Sequence, residues 1–254
     1  MMPKRNIVSW NAMVIGLAGN GRTQEAREVF EMMPDRNIIS CTAMVTGLAS
    51  SGRIQEAREV FEMMPERNIV AWTAMVTGLA RNGRIQEARE VFEMMPERDV
   101  FSWNAMVTGL TRNGRIEEAR EVFEIMPERD VVSWNCMMTA YAHHGCGREA
   151  INIFHKMQDI GLKPNDMTYV GLLTACNHDD LVEEALKFFN QLVNDTSIKL
   201  REDHLTCLVN LCSRAGRLKD AVDPIKRIGS KQSSFLWRAA FAKVHFHGDV
   251  KPGS

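Results

Sequence analysis

The chain has 254 residues, 45% of them hydrophobic and 25% charged, ordinary values for a soluble protein. A net charge of −1 excludes the polybasic clamp by which many proteins grip nucleic acid, and no apolar run reaches the length of a membrane span. The six cysteines (Cys41, Cys136, Cys146, Cys176, Cys207 and Cys212) include no CxxC pair, so they read as small core hydrophobes of a reducing compartment.

Taken in chain order, residues 1–6 (MMPKRN) read as the tail of a preceding repeat, with no targeting peptide in this chain. From Ile7 the sequence repeats with a strict period of 31 residues. IVSWNAMVIGLAGNGRTQEAREVFEMMPDRN is followed by IISCTAMVTGLASSGRIQEAREVFEMMPERN, IVAWTAMVTGLARNGRIQEAREVFEMMPERD and VFSWNAMVTGLTRNGRIEEAREVFEIMPERD, four units over residues 7–130. Residues 131–165 stretch the unit to 35 residues and end in DIGLKPN. The outline then drifts through residues 166–201 (MTYVGLLTACNHDDLVEEALKFF) and 202–233 (DHLTCLVNLCSRAGRLKDAV) to a partial unit, SFLWRAAFAKVHFHGDV, at 234–250, and a tail at 251–254. Such near-identity between units points to recent duplication or to consensus design.

Each unit reads as two helices. Trp10, Met13, Val14 and Leu17 recur at the spacing of one buried helical face, and Ala26, Val29, Phe30 and Met33 repeat that stripe. Asn20-Gly21 breaks the first helix, and Pro34 ends the second. A pair this short cannot bury its apolar face alone, so neighbours must stack, and no alternating stretch argues for a sheet. The expected fold is all-α, an α-α superhelical solenoid of hairpin repeats. Trp10, Trp72, Trp103 and Trp134 fall on the apolar stripe and are expected in the core, with the Met pairs at 32–33, 63–64 and 94–95 filling gaps. Glu25, Arg27 and Glu28 read as a solvated face.

Variation concentrates elsewhere. The fifth position of successive units reads Asn11, Thr42, Thr73, Asn104 and Asn135, and the last reads Asn37, Asn68, Asp99, Asp130 and Asn165. The second position is always apolar: Val8, Ile39, Val70, Phe101 and Val132. Positions two and five are three apart on one helix and share a face away from the tryptophan stripe, and the last residue precedes the next first helix close to that face. One apolar and two polar groups are therefore offered per repeat along one side of the solenoid.

Catalytic signals are missing. His143, His144 and Cys146 (HHGC) and the CNH at Cys176–His178 lie in separate loops without a paired second half of a metal site. The zinc-deaminase pattern of HxE followed by PCxxC is absent, as are a nucleophile elbow and a phosphate loop. The expectation is a binding protein, not an enzyme, with no cofactor and no metal.

With VSWNAMV, GRIQEAREVFEMMPER and SRAGRLKDA on the page, the array resembles a pentatricopeptide repeat protein of the plant organellar class that mixes short, standard and long motifs. Residues 7–130 resemble four short motifs, 131–165 the 35-residue motif, 166–201 the long motif, 202–233 a further short motif and 234–250 the start of an extension motif. The resemblance implies a right-handed superhelix that binds single-stranded RNA, one base per repeat, through the fifth and last residues. It further implies service in cytidine-to-uridine editing in a chloroplast or mitochondrion, with accessory editing proteins and a deaminase acting in trans.

The family's pairing then implies C (or U) for Asn11/Asn37, A for Thr42/Asn68, G for Thr73/Asp99, U for Asn104/Asp130 and C or U for Asn135/Asn165, a core of 5′-CAGUC-3′. Aspartate only accepts hydrogen bonds, as the ring N–H of uracil or guanine requires, whereas asparagine can donate to the ring nitrogen of cytosine or adenine. The second-position side chains would wedge between bases. Arg81 and Arg112, with His143 in the same column, resemble the family's phosphate-contacting position, where Gly19 and Ser50 stand in the first two units. Val170 at the fifth position of the long motif, and Thr206 without a clear final partner, depart from the pairing. A tetratricopeptide-like scaffold that binds a peptide in its groove is the alternative, but such repeats run about 34 residues and would vary charge across the whole face.

Overall fold

The first hairpin shows how each repeat is made. Asn6 holds an extended backbone and accepts the Ser9 amide N–H on its side chain at 2.9 Å, which opens α1 (Ile7–Gly19). The helix closes when the Arg22 amide donates back to the Leu17 carbonyl at 2.9 Å, a turn that places Gly21 at φ +76°, where only glycine sits without strain. α2 (Thr23–Glu31) returns antiparallel and stops two residues short of its proline. Arg36 finishes it by donating to the Phe30 carbonyl at 3.1 Å and to Glu31, with its guanidinium 4.8 Å from the Phe30 ring centroid. Arg67 and Arg98 repeat the device on Phe61 and Phe92.

The computed structural model describes residues 6–229, so the partial unit at 234–250 and the tail at 251–254 lie outside the described residues. The described chain is helical, without strands, and falls into two compact units, Met1–Glu128 and Arg129–Ser254. The first continues with α3 (Ile38–Ser50), α4 (Ile54–Glu62), α5 (Ile69–Arg81), α6 (Ile85–Glu93), α7 (Val100–Arg112) and α8 (Ile116–Ile125). Helix α3 packs between α1 and α5, and α5 between α3 and α7, so the first helices form one layer and the second helices another. This stack of hairpins is the all-α solenoid architecture expected from the period.

Two contacts set its spacing. Trp72 is buried edge-on against Phe61 of the preceding hairpin, with ring centroids 4.8 Å apart, and Trp103 meets Phe92 at 4.9 Å. Between first helices a seam of small residues permits close approach: a Cβ on Gly47, Gly78 or Gly109 would lie 2.7, 2.7 or 2.6 Å from that of Ala18, Ala49 or Ala80. Met75, Val76 and Leu79 complete the buried stripe predicted for that repeat.

Two expectations need correction. Of each methionine pair only the second fills the core: Met33, Met64 and Met95 are buried, whereas Met32, Met63 and Met94, the C-caps of helices that end at Glu31, Glu62 and Glu93, are exposed. The charged face is not merely solvated. Arg27 pairs with Glu56, Arg58 with Glu87 at 2.7 Å, and Arg89 with Glu118 at 2.9 Å, each tying a hairpin to the next. Half-exposed pairs of this kind contribute at most about 1 kcal/mol each, so they orient neighbours more than they stabilise them.

The second unit comprises α9 (Val131–His143), α10 (Gly147–Asp159), α11 (Asp166–His178), α12 (Val182–Asn194), α13 (Glu202–Arg214) and α14 (Leu218–Gly229). In its core Phe154, Phe188 and Phe189 are fully buried, Phe154 meeting Phe188 edge-on at 5.4 Å. The α11–α12 turn uses Asp180 at φ +55° where the other hairpin turns use glycine.

Candidate nucleic-acid interface

The last residue of each repeat is the N-cap of the next first helix. Asn37, Asn68, Asp99, Asp130 and Asn165 all hold extended backbone before α3, α5, α7, α9 and α11. In each, Oδ1 accepts the amide N–H three residues on: from Ser40 at 3.0 Å, Ala71 at 2.9 Å, Ser102 at 2.8 Å, Ser133 at 2.9 Å and Thr168 at 2.9 Å. The sequence carried a signal for this in four of the five, an Asn or Asp followed three residues later by Ser or Thr, with Ala71 standing there after Asn68.

The cap has a chemical consequence. A carboxamide has one acceptor end and one donor end, and the helix demands the acceptor. Asn68 must therefore turn Oδ1 to the Ala71 amide, which leaves Nδ2 as its remaining polar group, a donor. Asp99 gives one oxygen to Ser102 and keeps the other, an acceptor. The same backbone bond thus produces opposite hydrogen-bonding character at equivalent places.

Thr42, Thr73 and Asn135 lie beside the caps that follow them. Thr42 donates from Oγ1 to Asn68 Oδ1 at 3.3 Å, and Asn135 donates from Nδ2 to Asn165 Oδ1 at 3.0 Å. Asn11 and Asn104 are buried on α1 and α7, and Asn11 Oδ1 has no hydrogen-bond partner. Thr73 and Asp99 line one pocket together.

That pocket, of about 390 Å³, is lined by Val70 and Phe101, with Thr46, Ala49, Thr77 and Arg81. A second, of about 490 Å³, is walled by Ile39 and Val70 and lined by Thr42 and Asn68. Both fall in the range of roughly 300–1,000 Å³ usual for small-ligand sites. Val70 is shared, so along the first unit pocket and apolar wall alternate. All five second-position side chains, Val8, Ile39, Val70, Phe101 and Val132, are exposed, Phe101 by 76%.

Arg81 and Arg112 end α5 and α7, exposed. Arg27, Arg58 and Arg89 on the second helices, and Arg53, Arg84 and Arg115 at their N-caps, are engaged with glutamates, whereas Arg81 and Arg112 make no ion pair among the described residues. The later repeats differ. Val170 stands at the fifth position of the long repeat, and Arg201, which ends it, gives α13 no side-chain Asn or Asp cap; its guanidinium pairs instead with Asp166 at 3.1 Å. Thr206 donates to the Glu202 carbonyl within its own helix.

The repeat pattern can be compared with known families. Models of the PPR repeat match residues 8–38, 39–69, 70–100, 101–131 and 167–195, and a model of the PPR repeat family matches residues 129–178. The chain belongs to the pentatricopeptide repeat family. This is a family of repeat scaffolds, in line with the non-enzymatic reading of the sequence. Among curated pentatricopeptide repeat proteins of Arabidopsis thaliana, the mitochondrial At2g35030 is 44% identical over 96 residues, 38% of this chain and 15% of that protein. The chloroplastic ELI1 is 39% identical over 100 residues, 39% of this chain and 16% of that protein. The match thus spans a small part of these relatives' length. In fold, the chain is similar to the pentatricopeptide repeat protein PPR10 from maize, with a TM-score of 0.76 at 19% identity over 93% of this chain and 36% of that one. The structure of PPR10 with an 18-nt psaJ RNA element gives 0.74 at 17% identity, covering 96% and 40%.

Proposed function

We propose that this pentatricopeptide repeat chain binds single-stranded RNA, seating one base per repeat between successive second-position side chains and reading it with the fifth and last residues. The alternation of wall and pocket carries this reading: Ile39, Val70 and Phe101 separate two pockets, each with one fifth-position and one last-position side chain at its rim. Stacked bases need that order, flat apolar partners at intervals with a polar pair facing each ring edge. RNA bound to the fold relative PPR10 supports the same ligand class.

The cap supplies the selectivity. Thr42 with Asn68, whose free end donates, suits the ring nitrogen acceptor of adenine; Thr73 with Asp99, whose free end accepts, suits the ring N–H of guanine. By the same rule Asn11/Asn37 and Asn135/Asn165 take C, or U less well, and Asn104/Asp130 takes U, for a core of 5′-CAGUC-3′. Arg81 and Arg112, outside the ion-pair ladder, serve the phosphates. The biological setting we propose is target recognition for cytidine-to-uridine editing in a chloroplast or mitochondrion, with accessory proteins and a deaminase in trans; relatives named for both organelles support the location.

The test is fluorescence anisotropy with short RNAs carrying CAGUC or CAAUC, for the chain and for Asp99→Asn. Preference for CAGUC, reversed by the substitution, is expected. Binding no better than to a scrambled RNA at low salt would overturn the reading and leave a protein-binding scaffold.

A further inference from the structure

We infer that Thr168, the third residue of α11, is a positioning residue that makes the Asn135/Asn165 pair selective for cytosine over uracil, an inference that rests on the base-reading role proposed above.

Thr168 is fully buried, yet its hydroxyl lies within bonding distance of three polar atoms. Oγ1 accepts the Asn165 backbone N–H at 3.0 Å, and stands 2.8 Å from Asn135 Oδ1 and 3.0 Å from Asn165 Oδ1. The hydroxyl has one proton and two candidate acceptors. Asn165 Oδ1 already takes N–H bonds from the Thr168 amide at 2.9 Å and from Asn135 Nδ2 at 3.0 Å. Asn135 Oδ1 is the shorter contact and has no other donor among its described bonds, so the proton goes there.

Donors and acceptors then close in one way only. The Thr168 hydroxyl holds Asn135 Oδ1 inward, which turns Asn135 Nδ2 toward Asn165 and outward. The Thr168 amide holds Asn165 Oδ1 inward, which leaves Asn165 Nδ2 as the outward group. Both residues of the pair thus present N–H donors and no acceptor. Cytosine offers two adjacent acceptors, N3 and O2, whereas uracil places an N–H donor at N3. A donor-only pair is complementary to the first and meets the second with donor against donor. Without the hydroxyl, the Asn135 amide is free to turn over and offer Oδ1, and the distinction fades.

Two other repeats are arranged differently. In the Thr42/Asn68 pair the third residue is Ala71, with no hydroxyl, and there the threonine supplies its own proton to Asn68 Oδ1 at 3.3 Å. In the first pair Asn11 Oδ1 is buried without a hydrogen bond, and Ser40 spends its hydroxyl on the Asn37 carbonyl at 3.0 Å, so the lock is unmade. The inference therefore separates two pairs of identical letters, Asn11/Asn37 and Asn135/Asn165, by a residue outside either pair.

The experiment measures binding of the chain to CAGUC and CAGUU, with Thr168→Val and Thr168→Ser as variants and urea melts as the check on folding. Wild type should favour the terminal C, Thr168→Ser should keep that ratio, and Thr168→Val should lower it by roughly tenfold, the worth of one hydrogen bond between matched and mismatched partners. Should valine unfold the second unit, Thr168→Ser against Thr168→Ala, one hydroxyl apart, makes the same comparison. A loss of affinity for both RNAs at an unchanged ratio would overturn the inference and leave Thr168 a structural residue. Wild type that binds both RNAs equally would overturn base reading at this repeat, and the inference with it.

Discussion

A Cβ built on Gly78 would lie 2.7 Å from the Ala49 Cβ and 3.2 Å from its Cα, the backbone of the preceding first helix. No rotamer change can clear a backbone atom. Gly78→Ala should therefore push α3 and α5 apart and lower stability by about 1–3 kcal/mol in urea melts. Gly16 holds the same motif position in α1, where an added Cβ meets nothing within 4 Å. There the alanine should be neutral or stabilising, by up to about 1 kcal/mol from helix propensity. Opposite signs at equivalent positions identify the seam; equal signs would discard it.

The cap bond of Asp99 and the base reading proposed for it can be separated by mutation. Asparagine caps a helix about as well as aspartate, so Asp99→Asn should leave the melting midpoint nearly unchanged even where it changes base preference. Asp99→Ala loses the bond to the Ser102 amide and should cost about 0.5–2 kcal/mol. An alanine variant as stable as wild type would show that the cap carries no weight.

For the phosphate contacts proposed for Arg81 and Arg112, salt dependence is the informative measurement. Each phosphate neutralised on a single strand contributes about 0.7 to the slope of log K against log salt. Arg81→Ala with Arg112→Ala should flatten that slope by roughly 1.4, with little change in base preference. A slope that does not move would place the phosphates elsewhere.

His204 links stability to pH. It is fully buried as the third residue of α13, accepting the Arg201 amide N–H at Nδ1 (2.9 Å) and donating from Nε2 to the Asp166 carbonyl (2.8 Å). Burial holds its imidazole below the ordinary value of 6.5, against the opposing pull of that carbonyl. The unfolded chain therefore binds the proton first: the contribution is complete above the ordinary imidazole value and is lost as pH falls toward the folded one. Charging the ring also removes the lone pair that accepts from Arg201. Melts should weaken as pH drops through this range, and His204→Asn, which keeps an acceptor but does not titrate, should flatten the trend. Parallel pH profiles for both proteins would refute the assignment.

Much of this was legible in the sequence, for a physical reason. Stripes such as Trp72, Met75, Val76 and Leu79 depend on helical period alone, and turns such as Asn20-Gly21 on backbone sterics, both local properties. Part of what escaped was set by stacking. That Arg58 reaches Glu87 depends on how far one hairpin is rotated against the next, which no single repeat encodes. The fate of Met63 against Met64 turns on where the helix stops, within one residue. The fifth and last columns stood out by their variation, but the coupling of Asn135 to Thr168 joins residues 33 apart and becomes visible only when two repeats are in contact.

The capping position has one more consequence. Asn and Asp serve the helix equally, though they differ in charge and in what their free ends offer. Any exchange between them is almost silent to folding while it changes what the surface presents. Such a site can change its outward chemistry without an unstable intermediate. The near-identical helices around Asn68 and Asp99 show the separation: one scaffold, with a different letter at the cap.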